Sequence, residues 1–179
     1  GALRLPAVRG AEERAPRIRI GVVQTGIGEE DVHISAAENL RAHQEMTRQL
    51  VARERPDVVL WPESSYNYRL PRAAKDLRHA TGDPGVPVVF GALTFDRTGK
   101  YNTAVLADAA GRTSGMYDKN VLLVFGEYYP LGEIFPKLYE WLPYGGHFER
   151  GRAAEPLRLG QWRLGANICY EDVVPRLVW

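Results

Sequence analysis

Three ionisable side chains interrupt apolar runs in this 179-residue chain: Glu63 after VVLWP, Lys119 at the end of MYDK, and Cys169, the only cysteine, at the end of LGANIC. A thiol reacts as its thiolate, so it needs a base to take the proton or a cation to favour the ionised form. A carboxylate partly shielded from water can be that base, and an ammonium can both favour the thiolate and stabilise an oxyanion. Glu, Lys and Cys meet those needs without a histidine. Taken singly, each residue has a plainer reading. A lone cysteine at a strand end is commonly a small buried hydrophobe, a glutamate after Trp-Pro a turn residue, and Lys119 a solvated strand terminus beside Asp118.

The elements that must position these groups follow from periodicity. Residues 17–24, RIRIGVVQ, alternate and then run apolar, as a strand entering a buried sheet does. Over 35–54 the spacing predicts a helix: Ser35 is its N-cap, Glu38 completes a capping box, and Leu40, Met46, Leu50 and Val51 form the apolar face. DVVLWPES (57–64), VPVVFGALTF (86–95), KYNTAVLAD (100–108) and GRTSGMYDK (111–119) read as strands, with a Thr-Gly hairpin at 98–99. Residues 120–160 are loop-heavy, and QWRLGANICYED (161–172) resumes as strand and turn. The β-α-β start followed by hairpin-like strands predicts a mixed sheet covered by helices. Glu63, Lys119 and Cys169 then fall at strand ends, where a layered α/β sheet delivers its site. Residues 1–16, rich in Gly, Pro, Ala and charge, read as an arm or linker.

Composition narrows the chemistry further. A formal charge of +1, from 23 basic and 22 acidic residues, lacks the footprint that a phosphate backbone demands, so nucleic acid is excluded as a partner. One cysteine makes no internal disulfide. His33, His43, His79 and His147 lack ligand spacing, so no metal is expected. No phosphate-cradling glycine loop occurs, so no nucleotide cofactor is expected either. No run of apolar residues is long enough to span a bilayer.

WPES (61–64), YDKNVLLVFGEYYPL (117–131) and ICYE (168–171), in this order, resemble the motifs of the carbon-nitrogen hydrolase (nitrilase) superfamily. The FGEYYPL segment and the ICYE ending, together with YNTAVL at 101–106, are most similar to its acyltransferase branch, the catalytic domain of the apolipoprotein N-acyltransferases. The resemblance covers nearly all of 17–179. Val121 and Val124 stand where that branch commonly has His and Pro.

This resemblance implies an α/β fold, the nitrilase-like four-layer α-β-β-α sandwich. Such a domain continues past its cysteine, so 17–179 is expected to be a partial domain lacking its C-terminal part, and to self-associate or depend on a complementing chain. The implied catalytic residues are Glu63 as general base, Lys119 as oxyanion stabiliser and Cys169 as nucleophile. Supporting roles fall to Glu127, to Tyr170 through its backbone N–H, and to Glu171. The implied reaction passes a fatty acyl group from phospholipid to Cys169 as a thioester, then to the α-amino group of a lipoprotein's diacylglyceryl-cysteine. The implied place is the periplasmic face of the bacterial inner membrane, with the apolar stretch 122–146 as a lid touching lipid. Two other readings stay open: a soluble amidase or nitrilase using water as second nucleophile, and an inactive nitrilase-like module.

Overall fold

The computed structural model describes residues 15–26, 34–130 and 146–175, with residues 132, 134, 135, 137 and 140 between them. The apolar runs form a six-stranded mixed sheet from β1 (Ile20–Val22), β2 (Val58–Leu60), β3 (Tyr66–Pro71), β4 (Val88–Phe95), β5 (Lys100–Ala107) and β6 (Thr113–Asp118). β1, β2 and β4 pair in parallel, while β4, β5 and β6 pair antiparallel, as the β-α-β start and later hairpins predict. β3 was not expected. It lies end to end with β2 along the same side of β4, pairing Tyr66–Pro71 with the second half of that strand.

Helix α1 (Ala36–Glu54) supplies the β-α-β crossover, and its N-terminus carries the predicted capping box. The Glu38 N–H donates to Ser35 Oγ at 3.2 Å, and the Ser35 N–H donates to the Glu38 carboxylate at 2.8 Å. A short helix α2 (Arg78–Thr81) and a hairpin of β7 (Leu157–Leu159) and β8 (Trp162–Leu164) complete the elements.

Side chains alternate across the sheet and build two apolar layers. Val23, Val59, Trp61, Val88, Phe90 and Val105 pack with Leu40, Leu50 and Val51 of α1. Leu106, Tyr117, Val89 and Ala104 face the other way, against Leu157, Leu164 and Ile168. Helix, sheet and hairpin are thus stacked in the α-β-β order of the expected sandwich.

Three expectations need correction. Met46 is exposed, and the stripe of α1 that is buried is polar: Asn39, His43 and Thr47, at i, i+4 and i+8. The reason is Trp61, whose ring lies 5.1 Å from His43 and whose Nε1–H donates to Thr47 Oγ1 at 2.8 Å. Strand structure over 161–172 is confined to Trp162–Leu164, so Cys169 does not end a strand; it opens a 3-10 turn spanning Cys169–Val173. Finally, β7 lies inside the stretch read as loop-heavy. The arm read over 1–16 falls outside the described residues, apart from its last two positions.

Candidate active site

Glu63 is placed by a break in the sheet. β2 ends at Leu60 and β3 starts at Tyr66, and residues 61–65 step over β4 between them. The crossing is so close that a Cβ on Gly91 would sit 2.6 Å from Glu63 Cα and 2.6 Å from the Ser64 nitrogen. Only glycine fits beneath it. The crossing is held by the Gly91 N–H donating to the Pro62 carbonyl at 3.2 Å and by Ser65 Oγ–H donating to the Gly91 carbonyl at 3.3 Å.

Lys119 is the residue after β6, and its own N–H donates to the Asn102 carbonyl on β5 at 2.8 Å. Its side chain is 2% exposed, a cost that a buried ammonium meets only when paired. The partners are Glu127 Oε1 at 2.8 Å and Glu63 Oε1 at 3.8 Å. Glu127 reaches this point because residues 123–128 fold back on themselves: the Glu127 N–H donates to the Leu123 carbonyl, and the Leu123 N–H donates to Glu127 Oε2, each at 2.8 Å.

Asn102 is a member of this cluster that the sequence reading did not single out. Its Nδ2 donates to Glu63 Oε1 at 2.7 Å and to Glu127 Oε1 at 3.3 Å, so one amide orients both carboxylates. The YNTAVL stretch that carries it was noticed, but an asparagine's function appears only once its partners, 39 and 25 residues away, are brought beside it.

Cys169 is exposed and sits at φ 52°, in the left-handed region that a residue with a Cβ adopts at a cost. Its Sγ makes no hydrogen bond among the described residues. The turn it opens is anchored by Glu171, which is fully buried and accepts four hydrogen bonds. Oε1 accepts from the Asn120 and Val121 N–H groups at 2.6 and 3.0 Å; Oε2 accepts from the Ile168 N–H and Tyr117 O–H, both at 2.9 Å. One carboxylate therefore ties the cysteine turn to the loop that follows Lys119. Burial, reinforced by the Glu171 carboxylate, pushes the Tyr117 phenol up to about 12, so it stays a donor.

Glu63, Asn102 and Cys169 line one cleft of about 540 Å³, whose remaining walls include Leu60, Val89, Ala104, Leu164 and Ile168. Tyr170 points out to solvent and lines a neighbouring hollow with Leu123, Val124 and Tyr128. The six residues expected at the site are thus gathered: Glu63, Lys119 and Glu127 in direct contact, Cys169 across the cleft, and Tyr170 and Glu171 in its turn. Such a set offers a proton acceptor, a buried cation and a thiol around an apolar opening, the parts of thioester chemistry. Among the described residues no group of His, Cys, Asp and Glu could hold a metal ion.

The carbon-nitrogen hydrolase family model matches residues 19–179. An apolipoprotein N-acyltransferase of Bdellovibrio bacteriovorus is 34% identical over 181 aligned residues, covering 86% of this chain and 33% of that protein. Another, of Geobacter metallireducens, is 29% identical, covering 78% of this chain and 28% of its own. The chain thus spans about a third of the length of the curated relatives it matches. Among solved structures, a variant of the amidase from Nesterenkonia sp. AN1, with the acetamide moiety of fluoroacetamide on its active-site cysteine, superposes with a TM-score of 0.60 at 20% identity. The match covers 92% of this chain and 60% of that one, and it shows the shared fold.

Proposed function

The chain belongs to the carbon-nitrogen hydrolase family, and we propose that within it the chain carries the catalytic chemistry of an apolipoprotein N-acyltransferase. The observation that carries this reading is the convergence of Glu63, Lys119, Glu127 and Asn102 beside the cleft that Cys169 lines. The names of its curated relatives support the choice of acyl transfer over hydrolysis.

In the first half-reaction Glu63 accepts the Sγ–H proton, and the thiolate attacks the ester carbonyl carbon of a phospholipid. The oxyanion is met by Lys119 Nζ and the Tyr170 N–H. Collapse breaks the carbon–oxygen bond, and the departing lysophospholipid takes the proton held by Glu63. In the second half-reaction the α-amino group of a lipoprotein's diacylglyceryl-cysteine attacks the thioester and gives its proton to Glu63. The thiolate leaves and is reprotonated, and an amide remains. Water must be kept from the thioester for the amine to win.

Exposed apolar groups on the segments next to Lys119 and Cys169 fit an acyl donor held in a bilayer surface: Leu123, Val124 and Phe125 on the loop after Lys119, and Tyr170 in the cysteine turn. Ile134 and Phe135 are exposed as well, whereas Leu122 and Tyr129 are buried. The lid reading therefore rests on 123–125 and 134–135. Leu138, Tyr139, Trp141 and Leu142, expected in the same lid, lie outside the described residues. No helix among the described residues is long and apolar enough to cross a membrane, and a place on the periplasmic face of the inner membrane is part of this proposal.

Intact mass after incubation with phospholipid vesicles tests it. The expected result is a gain of one fatty acyl group, absent in Cys169→Ala and discharged by an amine-bearing lipopeptide. An adduct with a small amide or nitrile but none with phospholipid would make the chain a hydrolase instead.

A further inference from the structure

Behind the cluster, on the α1 side of the sheet, lies a second polar network that the reaction does not touch. Alternation puts Thr103 behind Asn102, and Asp118 behind Lys119, on the face that Val105 and Met116 share. Arg72, the residue after β3, grips Asp118 with a fork: Nη1–H donates to Oδ1 at 2.7 Å and Nη2–H to Oδ2 at 2.8 Å. The same Nη1 donates to Thr94 Oγ1 at 3.0 Å, and Thr103 Oγ1 donates to Asp118 Oδ1 at 2.8 Å. The guanidinium lies 4.3 Å from the Tyr101 ring centroid, with Asp96 at 3.3 Å from Nε. Its backbone N–H is fixed on the Phe95 carbonyl at 3.0 Å.

This network binds the ends of β3, β4, β5 and β6 together at the level where Asn102 and Lys119 leave the sheet. β6 needs such a clamp, because among the described residues it pairs along its length with β5 alone. The main chain at this end is held by the Lys119 N–H on the Asn102 carbonyl and the Gly151 N–H on the Lys119 carbonyl, and the fork adds a side-chain hold one residue before Lys119, whose Nζ must meet an oxygen 2.8 Å away. A two-bond fork fixes the direction of the carboxylate as well as its distance, which a point charge does not.

We propose that Arg72 is a positioning residue for the reaction centre, acting through Asp118 to fix where Lys119 delivers its ammonium. The inference rests on the reading of Lys119 and Cys169 as partners in one reaction. Without Arg72 the strand end loses its side-chain hold, and a half-buried Asp118 carboxylate is left without its cation one residue from Lys119. Both changes weaken the positive field at the thiol, so the thiolate forms at higher pH.

The test is the pH profile of Cys169 alkylation by iodoacetamide on the full chain, with urea midpoints recorded in parallel. Lys119→Met sets the reference and moves the profile to higher pH. Arg72→Gln and Arg72→Lys are expected to move it the same way, slowing alkylation at pH 7 by about threefold or more, since one pH unit is about tenfold in thiolate. The swap R72D/D118R is expected to move it back toward wild type. Arg72→Lys keeps the charge, so it retains a folded protein for the test even where Arg72→Gln does not fold. Arg72 variants with lowered urea midpoints but the wild-type profile would make the residue merely structural and overturn the inference alone. A profile that Lys119→Met leaves unmoved would sink the inference together with the proposed reaction centre.

Discussion

Two buried polar clusters flank the same stretch of sheet, and they solve the burial of polar atoms differently. On the hairpin side, Lys119, Glu127, Asn102 and Glu171 include three charged groups, and every one is met by partners at hydrogen-bond distance. Directly beneath α1, Asn39, His43 and Thr47 are neutral, and among the described residues Asn39 Oδ1 and His43 Nε2 have no partner. The His43 Nδ1 contact with the Asn39 carbonyl at 2.9 Å makes Nδ1 the donor, so both unpartnered atoms are acceptors. Charge cannot be left unpaired in a dry interior, while a lone neutral acceptor costs far less. The difference separates a cluster whose charges are each paired from one that fills space beneath Trp61.

The largest effect comes from breaking the satisfied cluster. Glu171→Gln keeps the volume but turns one oxygen into an N–H₂ that faces donors. At least one backbone donor then loses its acceptor, either the Asn120 and Val121 N–H groups or the Ile168 N–H, while the Tyr117 hydroxyl can turn to accept. At roughly 1–3 kcal/mol for each unsatisfied buried group, a loss of about 3 kcal/mol is expected in urea unfolding. Cys169 alkylation slows with it, because the same carboxylate ties the cysteine turn to the loop after Lys119. A loss under about 1 kcal/mol would mean that Glu171 is not the anchor its geometry describes.

Next in size is the seam between the clusters, where residues 61–65 carry Trp61 to one side and Glu63 to the other. Gly91→Ala places a methyl 2.6 Å from backbone atoms of Glu63 and Ser64, contacts that no side-chain rotation relieves. Overpacking of this kind costs roughly 1–3 kcal/mol, and the upper part of that range is expected here. Because Glu63 itself is displaced, the pH profile of Cys169 alkylation changes too. A variant with lowered stability and an unchanged profile would uncouple the crossing from the site.

The sequence made the satisfied cluster more legible than the neutral one, for a physical reason. WPES, YDK and ICYE are local strings whose residue types are unusual at the ends of apolar runs, so Glu63, Lys119 and Cys169 stood out before any contact was known. The capping box at Ser35 and the strands β2, β4, β5 and β6 were equally local. Pairing is not local. Asn102 and Arg72 gain their roles from residues 39 and 46 positions away, and β3 becomes a strand only by continuing the line of β2 along β4. The helix face misled because hydrophobic periodicity marks Met46 and passes over Asn39, His43 and Thr47, which Trp61 selects.

The smallest expected effect sharpens the comparison at its neutral end. Burial holds the His43 imidazole below the ordinary histidine value of 6.5, despite the Asn39 carbonyl favouring its charged form. Above that pH both folded and unfolded chains carry a neutral ring, and His43 has no influence on stability. As the pH falls through 6.5 the unfolded chain takes up a proton that the folded chain refuses, so stability falls. The loss levels off only once the pH passes below the depressed folded value. His43→Leu removes this one contribution, and its urea midpoint is expected to fall less steeply than wild type between pH 6.5 and 5. Parallel curves for the two proteins would show that the ring gains its proton without penalty in the folded state. The polar stripe of α1 would then tolerate charge as the Lys119 side does, and the contrast between the two clusters would disappear.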